Sequence, residues 1–272
     1  MSTLPPAYPG DRATGTVIQA GEMREVPQRR LFAVGMASTL LLTVLVGFAP
    51  TFFVRPVFTA ARIPLSLYVH GAIITAWFCW LVLQTSLIAH HRLALHRSLG
   101  VAGAVLAVVV VASGLHTSLG FVPRIHAEGI DIALRPFGAD SNHPESNPLI
   151  VGIVSGNYSA VLVFTVLVSL ALFFRRRSDV HGRLMLLASI SLIGPAALRI
   201  SLWFGGSSVP VRVRVGLFIF ALLAAMIVHD VRSRGRVHAA TVAGALFMLA
   251  TTVGFFRAGV GYTAITYFQS SS

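Results

Sequence analysis

The chain contains no lysine: all 21 of its basic residues are arginine. A Schiff base to a carbonyl ligand needs a lysine amine, so a retinal-binding rhodopsin is excluded whatever the number of helices. Cysteine is almost as scarce. The single Cys79 permits neither an intrachain disulfide nor a Cys-x-x-Cys pair, and its place in mid-stretch marks it as a small, buried packing residue. Only nine residues are acidic, and no pair of them falls inside an apolar stretch, which argues against a buried acid–base hydrolase. The sequence also lacks a His-Glu-x-x-His zinc motif, a phosphate-binding P-loop and a glycine-rich dinucleotide fingerprint.

Long apolar runs dominate what remains. At 55% hydrophobic and 11% charged residues, the chain is too apolar for an ordinary soluble domain. Seven stretches carry this character, at 31–54, 64–89, 98–122, 148–174, 181–204, 213–229 and 238–256. A hydrocarbon core of about 30 Å takes about 20 apolar helical residues, and backbone groups that cross it must bond within the chain. The pattern predicts an all-α integral membrane bundle of seven transmembrane helices. Residues 1–30 read as a disordered tail, 31–257 as the membrane domain and 258–272 as a short tail. The first stretch is longer than the roughly 7 to 15 apolar residues of a signal core and reads as a retained helix.

Arginine placement orients the bundle. Thirteen arginines lie in the N-terminal tail and in the second, fourth and sixth connections, against seven on the other side. Cytoplasmic segments carry the excess of positive charge, so the N-terminus is expected in the cytoplasm and the C-terminus outside. The loop 123–147, with Glu128, Asp131, Asp140 and Glu145, suits the external side. A formal charge of +12 therefore reflects membrane topology, and no nucleic-acid partner is expected.

Polar side chains within the stretches are candidates for function, because they are costly there. His70, Trp77, Gln84 and His91 follow one another at intervals of seven and so lie along one helical stripe. His181 and Arg199 are eighteen residues apart, five full turns, with Pro195 expected to bend the helix between them. By depth, His70, His116, Asn157, Tyr158 and Arg199 form an outer layer. An inner layer holds Gln84, His90, His91, His96, Arg97, His181, Arg183, His229, Asp230 and His238.

Two candidate sites follow. His70, Gln84, His116 and Arg199 are candidate cofactor-binding residues. His96, His181, His229 and Asp230 are candidate metal ligands, since imidazole and carboxylate suit a transition metal or proton transfer. His96 and His181 fall at predicted helix N-termini, where neutral imidazole is favoured. Asp230 falls at a helix C-terminus and needs a cationic partner, for which Arg183 and Arg97 are available. Stacked pairs of haems need ligands about 20 Å apart on one helix, or roughly thirteen residues. Here His70–His90 and His96–His116 are each twenty residues apart, so that pattern is not met, while a single haem between His70 and His116 is compatible with the spacing.

The runs LHRSLG at 95–100, VHGRLMLLASISLIGPAALRI at 180–200 and HDVRSRGRVHAAT at 229–241 resemble an uncharacterised bacterial polytopic membrane-protein family. That family is marked by His-Arg-x-Leu-Gly and His-x-Arg-Leu-Met signatures at cytoplasmic helix starts. The resemblance spans residues 65–260, and a more distant one is to cytochrome b561-like bundles. It implies a helical membrane fold in the bacterial cytoplasmic (inner) membrane and points to His70, Gln84, His96, Arg97, His181, Arg183, Arg199, Asp230 and His238, without supplying an activity. The expectation is a redox or metal-binding protein holding haem b or a transition metal. The alternative is a small-molecule or proton transporter or sensor that uses the polar helix faces. Expected partners are the lipid bilayer, a quinone or other small-molecule ligand, and a second copy of the chain.

Overall fold

The computed structural model describes residues 31–58, 63–127, 148–203 and 208–271, which are helical with short connections and include no strand. The tail 1–30 and most of the loop expected outside, 128–147, lie beyond the described residues. Helix α1, Leu31–Phe53, ends in a π-turn at Ala49–Phe53, where Pro50 cannot donate the usual backbone bond. Then come α2 (Leu65–Ala89), α3 (Leu93–Leu119) and the short α4 (Phe121–Ala127). Helix α5 (Pro148–Phe173) precedes α6 (Ser178–Ser191) and α7 (Gly194–Trp203). The chain closes with α8 (Val211–Arg234), α9 (Ala239–Arg257) and α10 (Val260–Ser271).

Six of these helices are long and apolar enough to cross a membrane. A seventh crossing exists if α6 and α7, bent by 47° at their break, count as one span. The bend falls where Pro195 was expected to place it, because proline withholds an N–H and crowds the preceding turn. Two other helices reach further than the apolar runs suggest. Helix α3 begins at Leu93 and takes in His96 and Arg97, and α8 continues to Arg234 and takes in Asp230. Charged residues at a helix end extend the helix without extending its apolar run.

The exterior shows what solvent the bundle requires. On α3 the residues Val101, Val105 and Val108 are 60–72% exposed, and Leu246 and Leu249 on α9 are equally open. Such stripes would be interaction or aggregation surfaces in water, whereas lipid accepts them without cost. The chain is a multi-pass helical membrane protein. Cys79 belongs to this exterior: it is exposed, contrary to the expected packing role, because one residue of helical rotation separates it from the fully buried Phe78.

The core centres on α6, whose Leu184 and the run Leu186 to Ile190 are buried. Around it the cluster gathers Leu40 and Val44 of α1, Trp77 and Phe78 of α2, Phe164 and Leu167 of α5 and Met226 of α8. One polar bond ties this interior. Ser189 donates to the Met185 carbonyl at 2.9 Å and so accepts from the Trp77 indole N–H at 3.2 Å. Where helices come closest, glycine permits it. A Cβ on Gly47 would lie 2.6 Å from the Ala196 carbonyl oxygen, so α1 and α7 touch backbone to backbone in the manner of small-residue membrane contacts. A second cluster, Val122, Ile150, Val154 and Ile265, joins α4, α5 and α10. Within the short tail 258–272, α10 docks on α5, where the Gly261 N–H donates to Ser155 Oγ at 3.0 Å.

Candidate functional site

Polar side chains collect in three places, two at the arginine-rich end and one at the opposite end. The first is built on Asp230, in the last turn of α8. Its Oδ1 accepts from Arg183 Nε at 2.9 Å and from Arg183 Nη2. Its Oδ2 accepts from Thr241 Oγ1 at 2.6 Å and from the His238 backbone N–H at 3.2 Å. Arg183 Nη1 in turn donates to the Asp179 carbonyl at 2.8 Å. His238 caps α9 by accepting the Ala240 N–H on Nδ1 at 3.1 Å, which leaves its proton on Nε2, facing the Asp179 carboxylate at 3.1 Å. Arg234 reaches the same carboxylate at 3.6 Å.

With four donors on its two oxygens and 1% exposure, Asp230 has no lone pair left for a metal. It clamps α6, α8 and α9 together. Arg183, one of the two partners expected from the sequence, is the one that reaches it. His229, the neighbouring residue, points about 100° away around the helix and stacks on Phe32 of α1, with ring centres 3.9 Å apart. The four-residue set His96, His181, His229 and Asp230 therefore does not converge. Among the described residues no group of three or more His, Cys, Asp or Glu is arranged to hold a metal ion.

The other two members of that set do meet. His96 and His181 are each the fourth residue of their helix, α3 and α6, which places both at the same depth. Their ring centres are 6.4 Å apart and their planes cross at 72°. His181 Nδ1 lies 2.8 Å from the Ala171 carbonyl, an acceptor that fixes the proton on Nδ1 and leaves the lone pair on Nε2. The backbone carbonyl of Gln84 lies beside the His96 ring. Neither His96 Nδ1 nor the two amide atoms of Gln84, all buried, have a hydrogen-bond partner among the described residues. Buried polar atoms without partners are rare, and three of them here single out this corner of the bundle.

The third place lies between α2 and α3 at the opposite end. His70 Nδ1 contacts Ser113 Oγ at 3.2 Å, and with Leu65, Ser66, Val69, His116 and Thr117 these residues line a cavity of about 440 Å³. His70 and His116 thus share one cavity. Gln84 does not join them, since it sits about 21 Å further along α2. Nor does Arg199: its guanidinium lies 4.2 Å from the centre of the Phe48 ring and donates to the Pro195 carbonyl at 3.1 Å, between α1 and α7. Of the four residues expected to bind a cofactor, His70 and His116 share a cavity, while Gln84 and Arg199 stand apart from it.

Sequence reasoning missed Ser113 and Thr117 in this cavity, Thr241 on Asp230 and the Ala171 carbonyl on His181. The first two were open to it, since positions 113, 116 and 117 share a helical face. A backbone carbonyl from another helix leaves no trace in a sequence. Set against family models, curated proteins and solved structures, the chain matches none.

Proposed function

We propose that this protein is a redox protein of the bacterial cytoplasmic membrane that holds one haem b between His96 and His181. In this reading α6 and α7 together make the seventh span, the N-terminus is cytoplasmic and the C-terminus external, so the pair stands at the cytoplasmic edge. The single observation that carries the reading is the spacing of the two imidazoles. A metal bound to one nitrogen from each of two opposed rings, at about 2.0–2.1 Å, would set the ring centres roughly 6 Å apart; here they are 6.4 Å apart.

Ligand number supports haem over a bare ion. A protein-only tetrahedral site needs three or four side chains, and two imidazoles do not make one. Haem brings its own equatorial nitrogens and asks the chain only for axial ligands. The bond from His181 Nδ1 to a backbone carbonyl is the kind of outer contact that orients a ligating imidazole and raises its basicity. The test is an absorption spectrum with metal analysis of detergent-purified protein. About one haem per chain is expected, lost in His96→Ala and in His181→Ala and kept in His229→Ala. Colourless, metal-free protein from haem-supplemented cells would end the reading.

A second reading, a small-molecule or proton transporter, rests on the 47° break between α6 and α7, since carriers often place their sites at interrupted helices. It predicts ligand flux in vesicles from protein that carries no haem.

A further inference from the structure

The cavity between α2 and α3 has a hydrogen-bonding pattern that selects its ligand. Ser113 Oγ donates to the Val110 carbonyl at 3.1 Å, so in its contact with His70 it is the acceptor and His70 Nδ1 the donor. Neutral imidazole carries one proton, which leaves His70 Nε2 as an acceptor only. Thr117 Oγ1, in the same lining, is buried and has no partner among the described residues; it can donate and accept. His116 and Arg124 lie within electrostatic reach of His70, and among the described residues no carboxylate does. The remaining walls, Leu65 and Val69, are apolar and exposed on the outside of the bundle, so the mouth opens toward lipid.

A volume of about 440 Å³ lies within the usual range of small-molecule pockets, about 300–1,000 Å³. An acceptor-only nitrogen calls for a ligand hydroxyl. The unpartnered Thr117 hydroxyl in the same lining suits a second oxygen on the same ring. Apolar walls and a lipid-facing mouth call for a flat, hydrophobic body that arrives through the membrane. An acyl chain would leave Thr117 unsatisfied, and a lipid phosphodiester, which has no hydroxyl proton, would bring no donor to His70 Nε2.

We propose that the cavity lined by His70, Ser113, His116 and Thr117 binds the hydroxylated ring of a membrane quinol. His70 Nε2 accepts one ring hydroxyl and Thr117 bonds the other ring oxygen. This site is distinct from the His96–His181 pair, and binding to it does not depend on whether that pair holds haem.

The test uses full-length protein in phosphatidylcholine nanodiscs and two probes with the same tail, decyl-benzoquinol and decylbenzene. Wild-type protein should bind the quinol saturably and roughly ten-fold more tightly than decylbenzene, the margin of about one buried hydrogen bond. Thr117→Val, which removes only an unpartnered hydroxyl, should shrink that margin, and Ser66→Phe, which fills the cavity, should erase it. His96→Ala should leave it intact, which separates this site from the haem reading. Equal binding of the two probes to wild-type protein would reduce the cavity to lipid partitioning and overturn the proposal. So would an unchanged margin in both cavity variants, or a margin lost only in His96→Ala.

Discussion

Arg183, on α6, approaches Asp230, on α8, side-on, placing Nε and Nη2 together on Oδ1. The other carboxylate oxygen is left to Thr241 and the His238 N–H. The side chains are 13% and 2% exposed, so the pair sits out of solvent at the arginine-rich end, with a donor on every side of the acid. Three helices, α6 and the consecutive α8 and α9, depend on one carboxylate.

Asp230→Ala should destabilise the protein by about 3–5 kcal/mol, because it leaves a buried guanidinium without its counter-charge. The double variant Asp230→Leu with Arg183→Met should lose less than Asp230→Ala alone, since it removes both charges together. Thermal unfolding in detergent measures both. Additive losses would show that the two residues act independently.

Gly47 sets the distance between α1 and α7. Gly47→Ala should cost about 1–3 kcal/mol, as overpacking does, because the new methyl meets the backbone of Ala196 and no side chain there can turn aside. Gly35→Ala, on the same helix with nothing within 4 Å of the added carbon, is the control and should be neutral or slightly stabilising. Unfolding midpoints of the two variants decide it.

The turn after α2 places a side chain where glycine is usual. His91 has φ 58°, and it is followed by the bond from Arg92 N–H to the Leu87 carbonyl at 2.8 Å that closes a Schellman turn. His91→Gly should therefore raise stability by about 1 kcal/mol, the cost of the left-handed conformation for a residue with a Cβ. A lower unfolding temperature in that variant would show that the imidazole contributes more than its backbone costs.

Depth was legible in the sequence and rotation was not. Runs of apolar residues located each helix to within a few positions, and helical rise correctly put His96 and His181 at one level. In a membrane, however, the face turned to lipid is as apolar as the face turned inward, so hydropathy says little about which way a side chain points. His229 and Asp230 show the consequence: neighbours in sequence and equal in depth, they serve Phe32 and Arg183 on different sides of α8. His70 and Gln84 share a stripe and yet belong to different ends of the bundle. The break at Pro195 was readable because proline acts through its own backbone, whatever surrounds it.

That break also changes what the middle of the chain can touch. Helix α7 is 10 residues long, about 15 Å, and at 47° its far end stands roughly 11 Å to the side of where a straight rod would have carried it. Arg199 moves off the line of His181 and comes to rest on an aromatic ring of the first helix. The bent pair thus reaches two different neighbours, an imidazole of α3 at one end and a phenyl of α1 at the other, and any straightening of the elbow would have to give up one of them.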